Sequence, residues 1–136
     1  MYPEPLVTPM KQELVSAGFE ECLTPEAVEK AIAQKGTVLM VVNSVCGCAA
    51  GAARPGVKAS LESTKKPSHL NTVFAGFDVD AVNTARKHFA PYPPSSPAIA
   101  LFKDGQLVHF VERHNIEGRT AAMIADHLKM VYEEFC

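Results

Sequence analysis

The segment that most limits what this chain can fold into is Thr37-Val-Leu-Met-Val-Val-Asn43. The run is rich in β-branched side chains and apolar at consecutive rather than alternate positions. A strand built from it therefore has two apolar faces, which predicts the centre of a sheet covered on both sides. The chain continues directly into Ser44-Val-Cys-Gly-Cys-Ala-Ala-Gly-Ala-Ala-Arg-Pro-Gly56. The small side chains of this stretch suit a helix lying close against that sheet, and Pro55 is expected to kink or divide it.

The remaining elements arrange themselves around this centre. Thr8-Pro9 reads as the start of a short helix ending near Gly18, and Thr24-Pro25-Glu26 as the start of another closed by Gly36. Residues Lys65–Asn71 read as a polar connector, Thr72–Asp78 as a second strand, and Asp80–Phe89 as a helix. Pro91-Tyr-Pro-Pro-Ser-Ser-Pro97 interrupts the chain. Ala98–Lys103 and Gln106–Val111 then form two strands joined at Asp104-Gly105, a strong hairpin signal. Ala121, Ile124, Leu128, Val131, Tyr132 and Phe135 line one face of a final helix. A crossover helix implies a parallel pair and a tight hairpin an antiparallel one. The expectation is an α/β fold: one domain over residues 1–136, with a central mixed four-stranded sheet flanked by helices. Residues 1–36 would form a helical extension of two helices packed on that core.

Composition bounds the function. With 136 residues, 47% of them hydrophobic, the chain can bury a core without disulfide staples. Lys+Arg 13 against Asp+Glu 15 leaves a net charge of −2, so no broad basic footprint for nucleic acid exists. No apolar run reaches membrane-spanning length, so no membrane partner is expected. Met1-Tyr-Pro-Glu-Pro-Leu6 has neither the basic nor the apolar part of a secretory signal, which points to the cytoplasm. Gly47, Gly51 and Gly56 lack the Lys-Ser/Thr ending of a phosphate-binding loop.

In a reducing compartment, Cys46 and Cys48 are better explained by chemistry than by architecture. Cys46 stands where a strand runs into a helix, so backbone N–H groups and the helix dipole favour a thiolate there. Residues i and i+2 do not face each other on a regular helix, so the pair must sit partly in the turn. Gly47 is expected to let that turn adopt unusual backbone angles. One spacer residue makes a small ring, hence a strained and oxidising disulfide suited to mixed-disulfide exchange or isomerisation. Ser96-Pro97 is a place where a cis-proline could be fixed. In this topology it lies beside the cysteines, where it would hold the Ser96 backbone open for an extended peptide.

Cysteines after the first core strand and a proline before the third make a thioredoxin-like layout. More narrowly, Val42-Asn-Ser-Val-Cys-Gly-Cys-Ala-Ala-Gly-Ala-Ala-Arg-Pro55 resembles the bacilliredoxin family. So do Thr72-Val-Phe-Ala-Gly76, Tyr92-Pro-Pro-Ser-Ser-Pro97, Lys103-Asp-Gly105, His109-Phe-Val-Glu-Arg-His114 and Ile116-Glu-Gly-Arg119. The resemblance implies a thioredoxin-like oxidoreductase that removes bacillithiol from S-bacillithiolated client proteins. Cys46 would be the nucleophile and Cys48 the resolving thiol, supported by Gly47, Ser96 and Pro97. Bacillithiol would be a co-substrate, with no resident cofactor or metal. Some members are described as thiol-disulfide isomerases, the runner-up activity. Cys136 matches the family's C-terminal cysteine, and Cys22 lies outside the motifs and reads as a packing residue. The first core strand lacks the buried acid that many thioredoxins place beneath their motif, which leaves the proton acceptor for Cys48 unassigned.

A rival from another class is a soft-metal module, since adjacent thiolates also bind Cu(I) or zinc. His69, His88, His109, His114 and His127 give no close ligand spacing with the cysteines. Arg54, Lys58, Arg113 and Arg119 are candidate cations for an acidic co-substrate, read as ordinary exposed charges. A monomer or weak dimer is expected.

Overall fold

Every residue from Met1 to Cys136 is described by the computed structural model. The elements run α1 (Glu4–Val15), β1 (Glu20–Glu21), α2 (Pro25–Ile32), β2 (Thr37–Asn43), a π-helical turn (Ala49–Ala53) and α3 (Arg54–Ser60). They continue with β3 (His69–Phe74), α4 (Val79–Lys87), β4 (Ala98–Lys103), β5 (Gln106–Val111), a 3₁₀ turn (Arg113–Asn115) and α5 (Ala121–Phe135). One sheet holds the strands in the order β1-β3-β2-β4-β5. β2 pairs in parallel with β3 and antiparallel with β4, and β4 pairs antiparallel with β5.

All seven residues of β2 are buried, as its two-faced apolar pattern requires. Val38, Met40 and Val42 join the core under α2 and α4, with Ile32, Val82, Ala85 and Phe89. Leu39 and Val41 point the other way, into the core with Val57, Ile124, Leu128 and Tyr132 from α3 and α5. Alternate side chains of one strand thus feed two separate cores. On the second face, α3 and α5 meet closely at Gly56, where an added Cβ would fall 2.6 Å from the Ile124 side chain. The Asp104-Gly105 turn carries positive φ at both residues (49° and 83°), the backbone that a two-residue hairpin needs.

Three expectations shift. The sheet has five strands, because Glu20–Glu21 pairs in parallel with Asn71–Thr72. Two acidic residues carry no periodic signal, and charge is a common way to blunt a sheet edge. Residues 1–36 therefore contribute a strand as well as two helices. β3 begins at His69, inside the segment read as a connector, since the backbone groups that β2 turns to that side between Val38 and Asn43 need partners along its whole length. Ala75–Asp78, read as strand, leaves it as a turn through Gly76 and the Asp78 N–H to Phe74 carbonyl bond. Finally, α1 starts a turn before Thr8, with Pro3 as its N-cap residue and Pro9 inside the helix. The Thr8 hydroxyl bonds back to the Glu4 carbonyl at 2.8 Å instead of capping. The extra turn buries Val7 completely, a tertiary gain that outweighs local preference. Pro55 behaves as expected, at the junction where the π-helical turn gives way to α3.

Candidate active site

Side chains, not ladder bonds, build the turn that leaves β2. The Asn43 carboxamide oxygen accepts the Ser44 N–H at 2.8 Å and an Arg54 N–H at 3.0 Å. Its nitrogen donates to the Met10 carbonyl at 3.1 Å. Arg54 also donates to the Ser44 carbonyl at 2.7 Å. The Arg54 Nε lies 3.1 Å from a Glu13 carboxylate oxygen without the alignment of a hydrogen bond, so that contact is an ion pair. Arg54 is 2% exposed, which corrects its reading as a surface charge. A buried guanidinium persists only with such partners. It ties α1, the end of β2 and the start of α3 into one fixed turn.

Ser44 Oγ accepts the Cys46 N–H at 3.3 Å, and the N–H groups of Ala49 and Ala50 both donate to the Cys46 carbonyl. This places the two sulfurs, both free thiols, 2.7 Å apart. Burial opposes ionisation of Cys46. The Cys48 S–H, the Ala49 N–H, the Ser44 hydroxyl and the charge of Arg113 outweigh it, and the Cys46 thiol is held below its usual range. Cys48 moves the opposite way: burial, its bond to Cys46 and the Cys46 charge push it up, against a smaller pull from Arg113. Two adjacent thiols that prefer opposite protonation states favour a thiolate beside a protonated neighbour. Gly47, between them, does not have the positive φ expected of it, and an added Cβ there would meet nothing within 4 Å. The Asn43–Arg54 network defines the turn instead, and Gly47 leaves its exposed position bare.

The Ser96–Pro97 peptide bond is cis, as is Ala90–Pro91. Ala98 pairs with Val42, so Ser96 stands beside the turn from Asn43 to Cys46. Its N–H has no partner in the chain. Its carbonyl already accepts from an Arg113 Nη1 at 3.2 Å. The Arg113 backbone N–H donates to Ser95 Oγ at 3.3 Å, and its Nε to Glu117 at 2.8 Å. Arg113 was one of four candidate cations in the sequence. The signal that singles it out is its place just past the end of β5, at the same end of the sheet as the motif.

The other candidates lie elsewhere. Cys22 is buried beside Asn71, and burial, then Glu20, pushes its thiol up to about 11. Cys136 sits near Thr37, at the far end of β2, about 20 Å from the motif by strand length. Lys58 is exposed, and Arg119 lines a cavity of about 250 Å³ with His109 and His127, whose Nε2 atoms are 2.9 Å apart. No group of three or more His, Cys, Asp or Glu gathers at the thiols or the histidines. No acidic side chain is buried under the sulfurs; Glu117 is the carboxylate whose charge reaches Cys48.

A family model described as "Disulphide isomerase" matches residues 2–136. A protein named Bacilliredoxin from Cytophaga hutchinsonii is 69% identical over 134 residues, covering 98% of this chain and 99% of the relative. Another Bacilliredoxin, from Bacillus cereus, is 51% identical over 131 residues, covering 96% and 91%. The chain belongs to the bacilliredoxin family. Among solved structures, a thioredoxin variant from Halobacterium salinarum NRC-1 superposes with a TM-score of 0.59 at 18% identity, covering 88% of this chain and 91% of that one. An oxidised thioredoxin from Plasmodium falciparum gives 0.58 at 18% identity, covering 87% and 98%. The fold of this bacilliredoxin-family chain is thus thioredoxin-like, and family and fold together support a thiol redox function. No helix is long and apolar enough to cross a membrane.

Proposed function

We propose that this chain removes bacillithiol from S-bacillithiolated proteins, with Cys46 as nucleophile and Cys48 as resolving thiol. The observation that carries the reading is the opposite protonation preference of two sulfurs in contact. In the first step the Cys46 thiolate attacks the bacillithiol sulfur of a mixed disulfide. A Cys46–bacillithiol bond forms, the mixed disulfide breaks, and the client cysteine leaves as a thiolate. Cys48 then loses its proton and attacks Cys46, forming the Cys46–Cys48 disulfide and releasing bacillithiol. Two further thiol molecules return the pair to the dithiol and leave as their own disulfide. The chemistry needs no resident cofactor, and it belongs in a thiol-rich compartment such as the cytoplasm.

Intact-mass analysis with a bacillithiolated client tests the order of events. Cys48→Ala should accumulate one bacillithiol on Cys46 and free the client, whereas Cys46→Ala should leave the client modified. Clearance of the client by Cys46→Ala would overturn the assignment. A second reading, isomerisation of protein disulfides, is favoured by the family description and by the unpaired Ser96 N–H beside Pro97. Reactivation of scrambled ribonuclease separates it from the first.

A further inference from the structure

An extended peptide that docks on free backbone pairs through a backbone donor and a backbone acceptor, as an added strand does. Here one half of that pair is free and the other is already engaged. The Ser96 N–H is open, but the Ser96 carbonyl is held by Arg113 at 3.2 Å. Arg113 is fixed from two further directions, by its own N–H to Ser95 Oγ and by Nε to Glu117. A guanidinium has five N–H donors, and the Ser96 and Glu117 bonds engage one each. The donors left over are on the Nη side. They belong to a 44% exposed side chain whose charge acts on both sulfurs.

We propose that Arg113 sets the substrate preference of the dithiol. By occupying the Ser96 carbonyl it disfavours extended peptides, and by its free N–H groups it favours a small thiol that carries carboxylates. The inference rests on Cys46 being the nucleophile, because the thiol that Cys46 attacks stays on the enzyme and is the part the site must grip. When Cys46–S forms its bond to the small thiol, the client leaves as a thiolate, so recognition of the client itself is dispensable. Glu117 orients the guanidinium through Nε alone and leaves the Nη edge for the ligand. Arg113 acts here as a positioning and specificity residue, not as a proton donor or nucleophile.

The test uses one client protein carrying either glutathione, which is anionic, or cysteamine, which is cationic, together with a peptide containing an internal disulfide. Rates are measured for wild type, Arg113→Gln and Arg113→Lys, at a pH above the Cys46 midpoint of each variant so that thiolate fraction does not differ. Wild type should prefer the glutathione adduct. Arg113→Gln should raise KM for that adduct about tenfold, as loss of one charge-assisted contact would, with kcat little changed. The cysteamine adduct should be unaffected or faster, and the peptide disulfide faster, because the Ser96 carbonyl is released. Arg113→Lys should restore the charge preference without restoring the block on peptides. A uniform fall for all three substrates, or no change in any, would overturn the proposal. Because glutathione and cysteamine are the probes, a failure of wild type to act on a bacillithiolated client would overturn the functional reading while leaving this test intact.

Discussion

The two ends of β2 each carry a thiol, and they treat it oppositely. At the C-terminal end Cys46 is held below the ordinary range, although burial works against ionisation there. At the N-terminal end Cys136 is pushed up: burial prevails over the Thr37 hydroxyl and the charges of Lys103 and Lys65. Nearby lysines are therefore not enough to activate a cysteine. What differs is the direction of the backbone. Cys46 opens a helical segment, whose Ala49 N–H acts on the sulfur, whereas Cys136 closes α5, where carbonyls point outward and the helix dipole opposes a thiolate. The Cys46 end adds a second thiol as donor and the charge of Arg113.

The largest break in this comparison is Cys46→Ala against Cys136→Ala. The first should abolish thiol exchange with a mixed-disulfide client, and the second should leave its rate unchanged, as measured by release of the client thiol. Next comes Arg54→Met, which leaves the Asn43 and Ser44 oxygens and Glu13 without their partner. It should lower stability by about 2–3 kcal/mol in urea unfolding and loosen the turn that presents Cys46. A smaller effect is expected of Cys48→Ala on Cys46 itself. Loss of the S–H donor should move the pH midpoint of Cys46 alkylation upward, and below that midpoint the thiolate fraction falls, so alkylation slows at neutral pH. A midpoint that stays put would mean that the Ala49 N–H and Ser44 hydroxyl suffice. The smallest effect belongs to Cys136→Ser, which should change stability by less than about 0.5 kcal/mol and leave the Cys46 midpoint unmoved.

The inventory of elements was legible because strong local signals agreed with the fold. β2, β4 and β5 fall where their sequences place them, and the hairpin turn at Asp104-Gly105 has the backbone its residues favour. The misreadings share a cause. His69–Asn71 look like a connector by composition, yet β2 needs a partner along its length. Thr8-Pro9 looks like a helix start, yet burial of Val7 is worth another turn. At the site, the nearness of Cys46 and Cys48 and the proline before β4 could be read from spacing and order. The roles of Arg54 and Arg113 could not.

Sequence by itself determined that a thiol pair would stand at the end of a fully covered strand, because hydrophobic pattern, small-residue run and cysteine spacing are all local. Tertiary structure decided which cations matter. Arg54 and Arg119 are the same residue type in the chain, but one is sealed beneath the motif turn and the other lines an open cavity. Arg113 reaches the site only because β5 lies beside β4, which sets its guanidinium against Ser96. A charge acts through the distance and the medium around it, and both are properties of the folded chain.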